Sequence, residues 1–264
     1  MNIIVCIKQV PATSEVRMDP EKGVLLRGTA ETRLNPYDAY AIEAALRLKE
    51  ANGEGTVTAL TMGPPSAEKE LRFAMAMGAD AGVLLSDRAL SGADVLATSR
   101  ALAQAVQALG GADVIVCGRQ TTDGDTAQVG PAIAGWLGVP LAAFVSSFAL
   151  CGGELLVTQS LTGGSQTLRL PLPCVIAVDK AGCVPRAPTL KRKLAAGKLP
   201  VTTLTLDDLA DTDPNHYGLA GSPTSVERIF PPISAKRGVR ITGGTEKVAM
   251  QIADELNSVR RAPC

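Results

Sequence analysis

The sequence predicts an α/β fold: a parallel sheet with helices on both faces, antiparallel strands that extend the sheet, and an extended C-terminal arm with a terminal helix. Three observations predict it. Short apolar runs alternate with amphipathic segments through the first half of the chain. Further strand-like runs follow, separated by Gly-Gly pairs and prolines. A proline-rich stretch then precedes a one-faced helical pattern.

The first half of the chain alternates strands with helices. The predicted strands are NIIVCIKQV, TVTALTM, GVLLS and DVIVCG, and the predicted helices lie near 35–51, 66–77 and 93–109. Asn35-Pro36 marks the start of the first helix, because asparagine caps helices and proline fits the first turn. Between the first strand and this helix, residues 16–27 predict a β-hairpin that turns at Asp19-Pro20 and Lys22-Gly23.

The second half begins with a predicted helix near 126–137. Four runs, PLAAFVSSFAL, GELLVTQSL, SQTLRLPLP and CVIAVD, predict antiparallel strands that extend the sheet. From 182 to 240 prolines and charges accumulate and the apolar periodicity is too weak for a second core, so we expect an exposed loop and then an arm. Residues 245–262 return to helical spacing. These features divide the chain into a domain, 1–212, and an arm with a helix, 213–264.

Composition excludes several classes of function. Lys+Arg number 26 against 26 Asp+Glu, and aromatics are 3%, so the basic field and stacking surfaces of a nucleic-acid binder are missing. The six cysteines form no C-x-x-C pair, which indicates reduced thiols in a cytoplasmic protein. No apolar run reaches the roughly 18 residues of a membrane span. The single histidine, His216, excludes histidine triads and multi-histidine metal sites.

The segment GRQTTDGDTAQVGP, residues 118–131, lies between a predicted strand and a predicted helix. Such a turn offers unpaired backbone N–H groups and the positive end of a helix dipole, which suit a phosphate. Thr126 adds a hydroxyl donor, and Gly124 permits close approach of a ligand. We expect one of Asp123 and Asp125 to cap the helix and the other to accept from a ribose hydroxyl or to order the turn. Turns of this composition also occur without any ligand, and neither a P-loop nor a G-x-G-x-x-G motif is present.

Other loops should converge on the same place, since ligands of open parallel sheets bind outside the carboxyl ends of the strands. A further segment begins the helix near 93–109, where Asp94 and Thr98 are four residues apart and share a face. The alternative for this pair is a helix cap and a threonine bonded back to its own helix. The converging segments are 6–11, 35–38, 62–65, 92–100 and 118–128.

The motifs CIKQVP, NPYDAYAIEAALRLKE, TMGPP, AMAMGAD, GRQTTDGDTAQVGP and VPRAPTLKRKLAAGK resemble, in this order, the β subunit of electron transfer flavoproteins over nearly the whole chain. The resemblance implies a Rossmann-like nucleotide-binding domain, 1–212, and a heterodimer with an α subunit that holds FAD. We expect residues 213–264 to dock on that subunit. The cofactor-binding residues are then Cys6, Asn35, Asp38, Met62, Asp94, Thr98, Gly118, Arg119, Gln120, Thr121, Thr122, Asp123, Gly124, Asp125, Thr126, Ala127, Gln128 and Val129.

Family members differ in the nucleotide of this subunit, which is AMP or a second FAD. The run DGDTAQVGP is similar to the two-flavin members that bifurcate electrons, and the small residues Gly124 and Ala127 leave room for the longer ligand. The resemblance therefore favours FAD and implies NADH as a transient substrate, ferredoxin or flavodoxin as one acceptor, and an acyl-CoA-type or other flavin dehydrogenase as the other. An AMP-containing carrier subunit and a stand-alone nucleotide-binding protein are the alternatives.

Residues 184–198, here called the recognition loop, correspond to the family's partner-recognition segment. Leu190 stands at the position of its leucine anchor, with Arg186 and Lys191 beside it. Ala187 replaces an aromatic residue and Lys191 a later proline of the usual pattern, so the motif leaves the identity of the dehydrogenase open. On charge alone, a solvated basic loop is the alternative interpretation.

Overall fold

The computed structural model describes residues 1–12, 31–180, 183–227, 238 and 240–261, with side chains of the last helix described as far as residue 258. The β-hairpin predicted at 16–27 lies outside the described residues. By its internal contacts the chain forms two compact units, Met1–Val226 and Glu227–Cys264.

The strands and helices alternate as predicted through the first half of the chain. In chain order the strands are β1 (Asn2–Cys6), β2 (Gln9–Pro11), β3 (Thr32–Leu34), β4 (Thr56–Met62), β5 (Ala81–Leu85), β6 (Val114–Gly118), β7 (Leu141–Cys151), β8 (Glu154–Leu161), β9 (Gly164–Leu170), β10 (Cys174–Val178) and β11 (Val201–Leu204). The helices are α1 (Pro36–Asn52), α2 (Glu68–Met77), α3 (Val95–Ala108), α4 (Val129–Leu137), α5 (Leu190–Ala196) and α6 (Thr245–Arg261).

The main sheet has nine strands in the order β11-β5-β4-β1-β6-β10-β7-β8-β9, and β2 pairs with β3 separately. In this order, the first six strands, from β11 to β10, are each parallel to their neighbours. Strands β8 and β9, at the other end, extend the sheet in antiparallel fashion. The chain runs outward from β1 in one direction through β4 and β5 and in the other through β6. The strand order therefore reverses between β1 and β6, as in Rossmann-like sheets.

Helices cover both faces of the parallel part. Strand β1 shows why, because its alternate residues point to opposite faces: Ile3 packs in the cluster of α1 and α2, whereas Ile4 packs in the cluster of α3 and α4. Ile42 and Ile133, one from each helical layer, are fully buried. Burial of such a side chain contributes roughly 1.5–3 kcal/mol, so the two clusters together hold the sheet between its helices.

The prediction that CVIAVD forms an antiparallel strand was wrong. Strand β10 lies between β6 and β7 and is parallel to both. All five of its residues are buried, as expected of a strand with covered faces on both sides, and such strands have continuous apolar runs. After β7 the chain forms the antiparallel strands β8 and β9 at the edge of the sheet, and it then returns to form β10 between β6 and β7. The apolar pattern of CVIAVD does not indicate this return to the interior of the sheet.

The prediction that 182–240 forms an exposed loop and then an arm was also wrong for part of that segment. Strand β11 joins the sheet edge beside β5, and Leu206, Leu209 and Tyr217 are buried against the layer of α3 and α4. These large side chains are widely spaced along the chain and each packs on the domain separately, so the sequence shows no periodic apolar pattern. Residues 213–226, which the sequence assigned to the arm, belong to the first compact unit.

Helix α6 forms where the sequence predicted it. Ile252 and Leu256, on its apolar stripe, are exposed. None of the helices in the described part of the chain is both long enough and apolar enough to cross a membrane.

Candidate functional site

A cavity of about 930 Å³ opens where β1, β4, β5 and β6 end. It lies at the point where the strand order reverses, which is where open parallel sheets bind ligands. It is large enough for a nucleotide or dinucleotide, since small-molecule sites span roughly 300–1,000 Å³. The predicted cofactor-binding residues that line it are Cys6, Asp38, Met62, Asp94, Thr98, Gly118, Arg119, Gln120, Thr121, Gly124, Thr126, Ala127, Gln128 and Val129.

Four predicted residues, Asn35, Thr122, Asp123 and Asp125, are not part of the lining. Asn35 is fully buried behind it. Its amide donates to the Asp38 carboxylate at 2.8 Å and to the Gln120 carbonyl at 2.9 Å, and its side-chain oxygen accepts from the Thr122 backbone N–H at 3.3 Å. Asn35 therefore ties the start of α1 to the loop that follows β6.

Gly118 allows these two elements to meet. A Cβ at this position would overlap the Asp38 carboxylate and would lie 3.0 Å from the Tyr37 backbone carbon. Since real Cβ atoms do not approach other heavy atoms so closely, any other residue here would push α1 away from the end of β6. The glycine is required for the packing of the cavity wall.

Asp38 is a buried acid in the cavity lining. Its second carboxylate oxygen accepts from the Lys8 backbone N–H at 2.7 Å. Burial raises the pKa of Asp38 to about 7, although the hydrogen bonds from Asn35 and from the Lys8 backbone act in the opposite direction. The cavity therefore contains a carboxyl group that titrates near neutral pH.

The loop from Gly118 to Gln128 has an unusual backbone. Asp125 and Ala127 both have positive φ, 52° and 55°, which costs a non-glycine residue about 1–2 kcal/mol. Strain of this kind is concentrated at ligand-binding loops. Alternation between right- and left-handed residues also turns successive N–H groups toward one side, an arrangement that binds anions.

The prediction that Asp123 or Asp125 caps the following helix was wrong. Helix α4 begins at Val129, without any side-chain cap, rather than near Thr126. Asp123 accepts from the Lys8 ammonium group at 2.7 Å and from the Gly124 N–H at 2.8 Å, and Asp125 accepts from the Gln120 side chain. Both carboxylates therefore order the loop itself.

The floor of the cavity is lined by thiols and a thioether. Cys6 and Cys117 are register partners on the adjacent strands β1 and β6, and both are buried. A hydrogen bond with Cys6, together with burial, raises the pKa of the Cys117 thiol well above its ordinary value. Both cysteines are unbridged, as predicted, and with Met62 they form an uncharged surface beneath the polar loops.

Arg119 closes one side of the cavity. Its Nη1 donates to Asp179 at 2.8 Å, and its guanidinium lies 5.0 Å from the centre of the Phe144 ring. This stacking and pairing fix the side chain against the end of the sheet.

The opposite wall is the start of α3. Asp94 caps this helix, because one carboxylate oxygen accepts from the N–H groups of Leu96 and Ala97 at 2.9 and 3.1 Å. The other oxygen accepts from the hydroxyl of Thr224 at 2.8 Å. Burial raises the pKa of Asp94, but these hydrogen bonds outweigh it and the net shift is downward. Thr98 lines the cavity one turn later, and among the described residues its hydroxyl has no partner.

Sequence reasoning missed the segment 86–91, which follows β5 and lines the cavity between Met62 and Asp94. It includes Ser86, Asp87, Arg88 and Ser91. The sequence did contain a signal for this segment. It follows β5, a strand that was correctly predicted, and therefore starts at the same edge of the sheet as the other cavity loops.

The recognition loop lies elsewhere on the domain. Arg186 pairs with Glu43 at 2.8 Å and with Glu50 at 2.7 Å, both on α1. Leu190 is the first residue of α5, and 74% of its surface is exposed. Lys191 follows it and is also exposed.

A mostly parallel sheet covered by helices, with a cavity where the strand order reverses, defines a Rossmann-like α/β protein. Residues 22–209 match the family model of the electron transfer flavoprotein domain, and the chain belongs to this family.

Curated relatives match along almost the whole chain. It is 42% identical over 259 residues to the electron transfer flavoprotein subunit beta of Thermoanaerobacterium thermosaccharolyticum, covering 98% of both chains. It is 45% identical over 239 residues to protein FixA of Azorhizobium caulinodans, covering 88% of this chain and 85% of the relative. It is 40% identical over 257 residues to the caffeyl-CoA reductase-Etf complex subunit CarD of Acetobacterium woodii, covering 97% and 98%.

Proposed function

We propose that this protein is the β subunit of a heterodimeric electron transfer flavoprotein that binds FAD and takes part in electron bifurcation. Electrons enter from NADH. One goes to a low-potential carrier such as ferredoxin or flavodoxin, and the other passes through FAD of the α subunit to an acyl-CoA-type or other flavin dehydrogenase. The alternative is a subunit that holds AMP and carries electrons without bifurcation.

The extent of the cavity carries the proposal. It runs from the loop after β6 to the segment after β5, and these two strands are three strand spacings apart. At about 4.8 Å per spacing, the cavity extends roughly 14 Å along the sheet edge. AMP ends at a single phosphate and has no second half to lie along the loops of β4 and β5. A dinucleotide has a second half of this kind, so the length of the cavity favours FAD.

The residues have distinct parts in this proposal. The backbone N–H groups of residues 118–128 bind the diphosphate, while Cys6, Cys117 and Met62 give the flavin an apolar floor that excludes water. Thr98 supplies a hydroxyl donor on the opposite wall. FAD itself supplies the redox chemistry when bound, because it can accept a hydride and release electrons singly. The relative CarD is a subunit of a caffeyl-CoA reductase-Etf complex, which supports coupling to a CoA-ester dehydrogenase.

Nucleotide extraction tests the proposal. The chain is co-expressed with its α subunit, the purified complex is denatured, and the released nucleotides are separated and weighed by mass spectrometry. We expect two FAD per heterodimer. One FAD with one AMP would contradict the proposal and support the carrier alternative.

A further inference from the structure

The cavity lining contains a buried carboxyl group, that of Asp38. Among the described residues three carboxylates line the cavity, Asp38, Asp87 and Asp94. The last two are partly exposed, whereas Asp38 is 4% exposed. Asp38 forms no salt bridge within the part of the chain that the structure describes, because the ammonium group of Lys8 pairs with Asp123 at 2.7 Å instead. A buried negative charge without a cation is unfavourable, so this environment favours the neutral carboxyl group.

Asp38 lies directly against the loop that we propose holds the phosphate groups. A Cβ on Gly118, the first residue of that loop, would overlap the Asp38 carboxylate. Asn35 also links the two, because its amide donates to Asp38 at 2.8 Å and to the Gln120 carbonyl at 2.9 Å. A phosphate bound by the backbone N–H groups of this loop is therefore next to a carboxyl group. An ionised carboxyl group in this place would repel the phosphate.

Both oxygens of Asp38 already accept a hydrogen bond within the domain. One accepts from the Asn35 amide, and the other accepts from the Lys8 backbone N–H at 2.7 Å. A protonated carboxyl group keeps acceptor capacity and adds one O–H donor. These two partners are themselves donors, so the O–H group requires an acceptor elsewhere. The cavity, which Asp38 lines, is where a phosphate oxygen can accept from it.

The charged and titratable groups around Asp38 do not replace this proton. Lys8, in the loop after β1, and Asp123, in the loop after β6, compensate each other in their ion pair. The Cys117 thiol on β6 stays neutral near pH 7, because its hydrogen bond with Cys6 and its burial raise its pKa well above the ordinary value. Burial raises the pKa of Asp38 itself to about 7, against the hydrogen bonds that it accepts. Of these groups, Asp38 is the one whose charge changes near neutral pH.

We infer that nucleotide binding to this cavity takes up a proton at Asp38, whose O–H group then donates to a phosphate oxygen. The inference rests on the nucleotide-binding part of the proposed function and applies to FAD and AMP alike. The carboxylate takes one H⁺ from solvent, one O–H bond forms, and no bond of the nucleotide is broken. Because the phosphate disfavours the ionised form, the bound complex holds this proton to a higher pH than the free subunit does. The affinity therefore falls as pH rises above about 7, by up to about tenfold per pH unit.

The first test follows the loss of nucleotide from the purified αβ complex during dialysis between pH 6 and pH 9. The retained nucleotide is extracted and quantified by mass spectrometry, as the second FAD or the AMP of each heterodimer. In wild type the rate of loss should rise about tenfold or more over this range. In Asp38→Asn and Asp38→Ala, which cannot ionise, it should not depend on pH. At pH 6 Asp38→Ala should lose nucleotide about tenfold faster than wild type, because the hydrogen bond to the phosphate is missing.

Glu154→Gln is the matched control for removal of a carboxylate. Glu154 is on β8, outside the cavity lining, and 45% of its side chain is exposed. This variant should lose nucleotide at the wild-type rate at every pH. Circular dichroism at each pH shows that the complexes compared are folded.

Calorimetry counts the proton directly. ADP is titrated into the nucleotide-depleted complex at pH 7.5 in HEPES and in Tris, whose ionisation enthalpies differ. The difference between the two binding enthalpies gives the number of protons taken up. Wild type should take up between about half a proton and one proton more than Asp38→Asn.

Three results would overturn the inference: equal proton uptake in wild type and Asp38→Asn, a rate of loss in wild type that is the same at every pH, and a wild-type rate for Asp38→Ala at pH 6. Absence of proton uptake in wild type is sufficient by itself, so the test does not depend on the folding of a variant. Failure of the proposed function is seen separately, as AMP in place of the second FAD, and the proton measurement remains valid for that nucleotide.

Discussion

The guanidinium of Arg186 forms a salt bridge with the buried carboxylate of Glu43, with 2.8 Å between Nε and Oε2. The Arg186 backbone N–H donates to the same oxygen at 3.1 Å, and Glu50 completes the network. This contact fixes the start of the recognition loop on α1. It also engages Arg186 within its own chain, so that the exposed Leu190 and Lys191 are the members of the predicted recognition set left for a partner.

Glu43→Gln should lower the free energy of unfolding by about 2–3 kcal/mol, since a charged hydrogen bond is lost and Arg186 stays half-buried. Burial raises the pKa of Glu43, but hydrogen bonds from Arg186 and Arg47 outweigh it and the folded pKa is lowered. The contribution of Glu43 is therefore present above the ordinary carboxyl pKa and is lost as pH falls from that value through the lowered folded pKa. Chemical denaturation at pH 7 and at a series of pH values below 4 measures both effects.

Glu50→Gln is the matched control, because Glu50 contacts the same arginine from a side chain that is 58% exposed. Exposed ion pairs contribute about 1 kcal/mol or less. Equal losses in the two variants would show that burial of Glu43 is not what anchors the loop.

The position of Arg186 shows a limit of sequence reasoning. The motif predicted an interaction for this arginine, and nothing in the local sequence indicated that its partner is Glu43, 143 residues earlier in the chain. Glu43 lies among apolar residues of a helix and has no feature that marks it as buried and paired. Contacts of this kind depend on how α1 and the recognition loop are brought together by the sheet, so only the structure reveals them.

Leu190→Ala should slow electron transfer to the dehydrogenase about tenfold, because an exposed apolar anchor at the centre of an interface is where binding energy concentrates. Its flavin content and thermal unfolding should match wild type, since Leu190 makes little contact with its own domain. Leu161→Ala is the control, an exposed leucine at the far end of β8. Transfer rates measured at several dehydrogenase concentrations that coincide for all three proteins would contradict a role for Leu190 in recognition.

Asp38→Asn should change how stability depends on pH. Because the folded pKa of Asp38 is raised from 3.8 to about 7, its contribution to stability is complete below pH 3.8 and is lost as pH rises through 7. The advantage of wild type over Asp38→Asn should shrink by up to about 4 kcal/mol over this window.

Thermal unfolding of both complexes between pH 4 and pH 8 gives the comparison. Infrared difference spectra of wild type and Asp38→Asn report the protonated carboxyl directly. If the two complexes show parallel pH profiles and no carboxylic acid band disappears near pH 7, Asp38 is ionised throughout.

The parts of the cavity lining that lie at the ends of strands could be predicted from the sequence. Cys6, Met62 and Gly118 line the cavity, as the convergence of strand ends predicted, because each ends or follows a recognisable apolar strand. Asn35 was expected at a ligand, but its side chain instead joins α1 to the loop after β6. An amide side chain can form hydrogen bonds with a ligand or with other groups of the protein equally well. The residue type alone therefore could not distinguish a ligand-binding asparagine from a structural one.

Truncation after Val226 removes the second compact unit and leaves the first complete. Truncation after Asp211 would also delete Tyr217, which is fully buried, and so would damage the α/β domain itself. We expect the chain ending at Val226 to fold but not to associate with the α subunit, as judged by size-exclusion chromatography after co-expression. The full-length double variant Ile252→Asp, Leu256→Asp should behave in the same way, because it places charge on the exposed stripe of α6. A heterodimer retained by either chain would disprove docking through α6.

Thr98 offers a single hydroxyl to the cavity from the second turn of α3. A donor that meets the edge of a bound flavin stabilises the form with more negative charge there, and a buried hydrogen bond of this kind contributes about 1–3 kcal/mol. Thr98→Val keeps the shape and removes the donor, so it should shift the midpoint potentials of the flavin in this subunit. Thr98→Ser keeps the hydroxyl and should titrate like wild type. Redox titrations of the three complexes at equal FAD content decide the matter: if the curve of Thr98→Val superimposes on that of wild type, the hydroxyl does not contact the flavin, and Thr98 only completes the wall of α3.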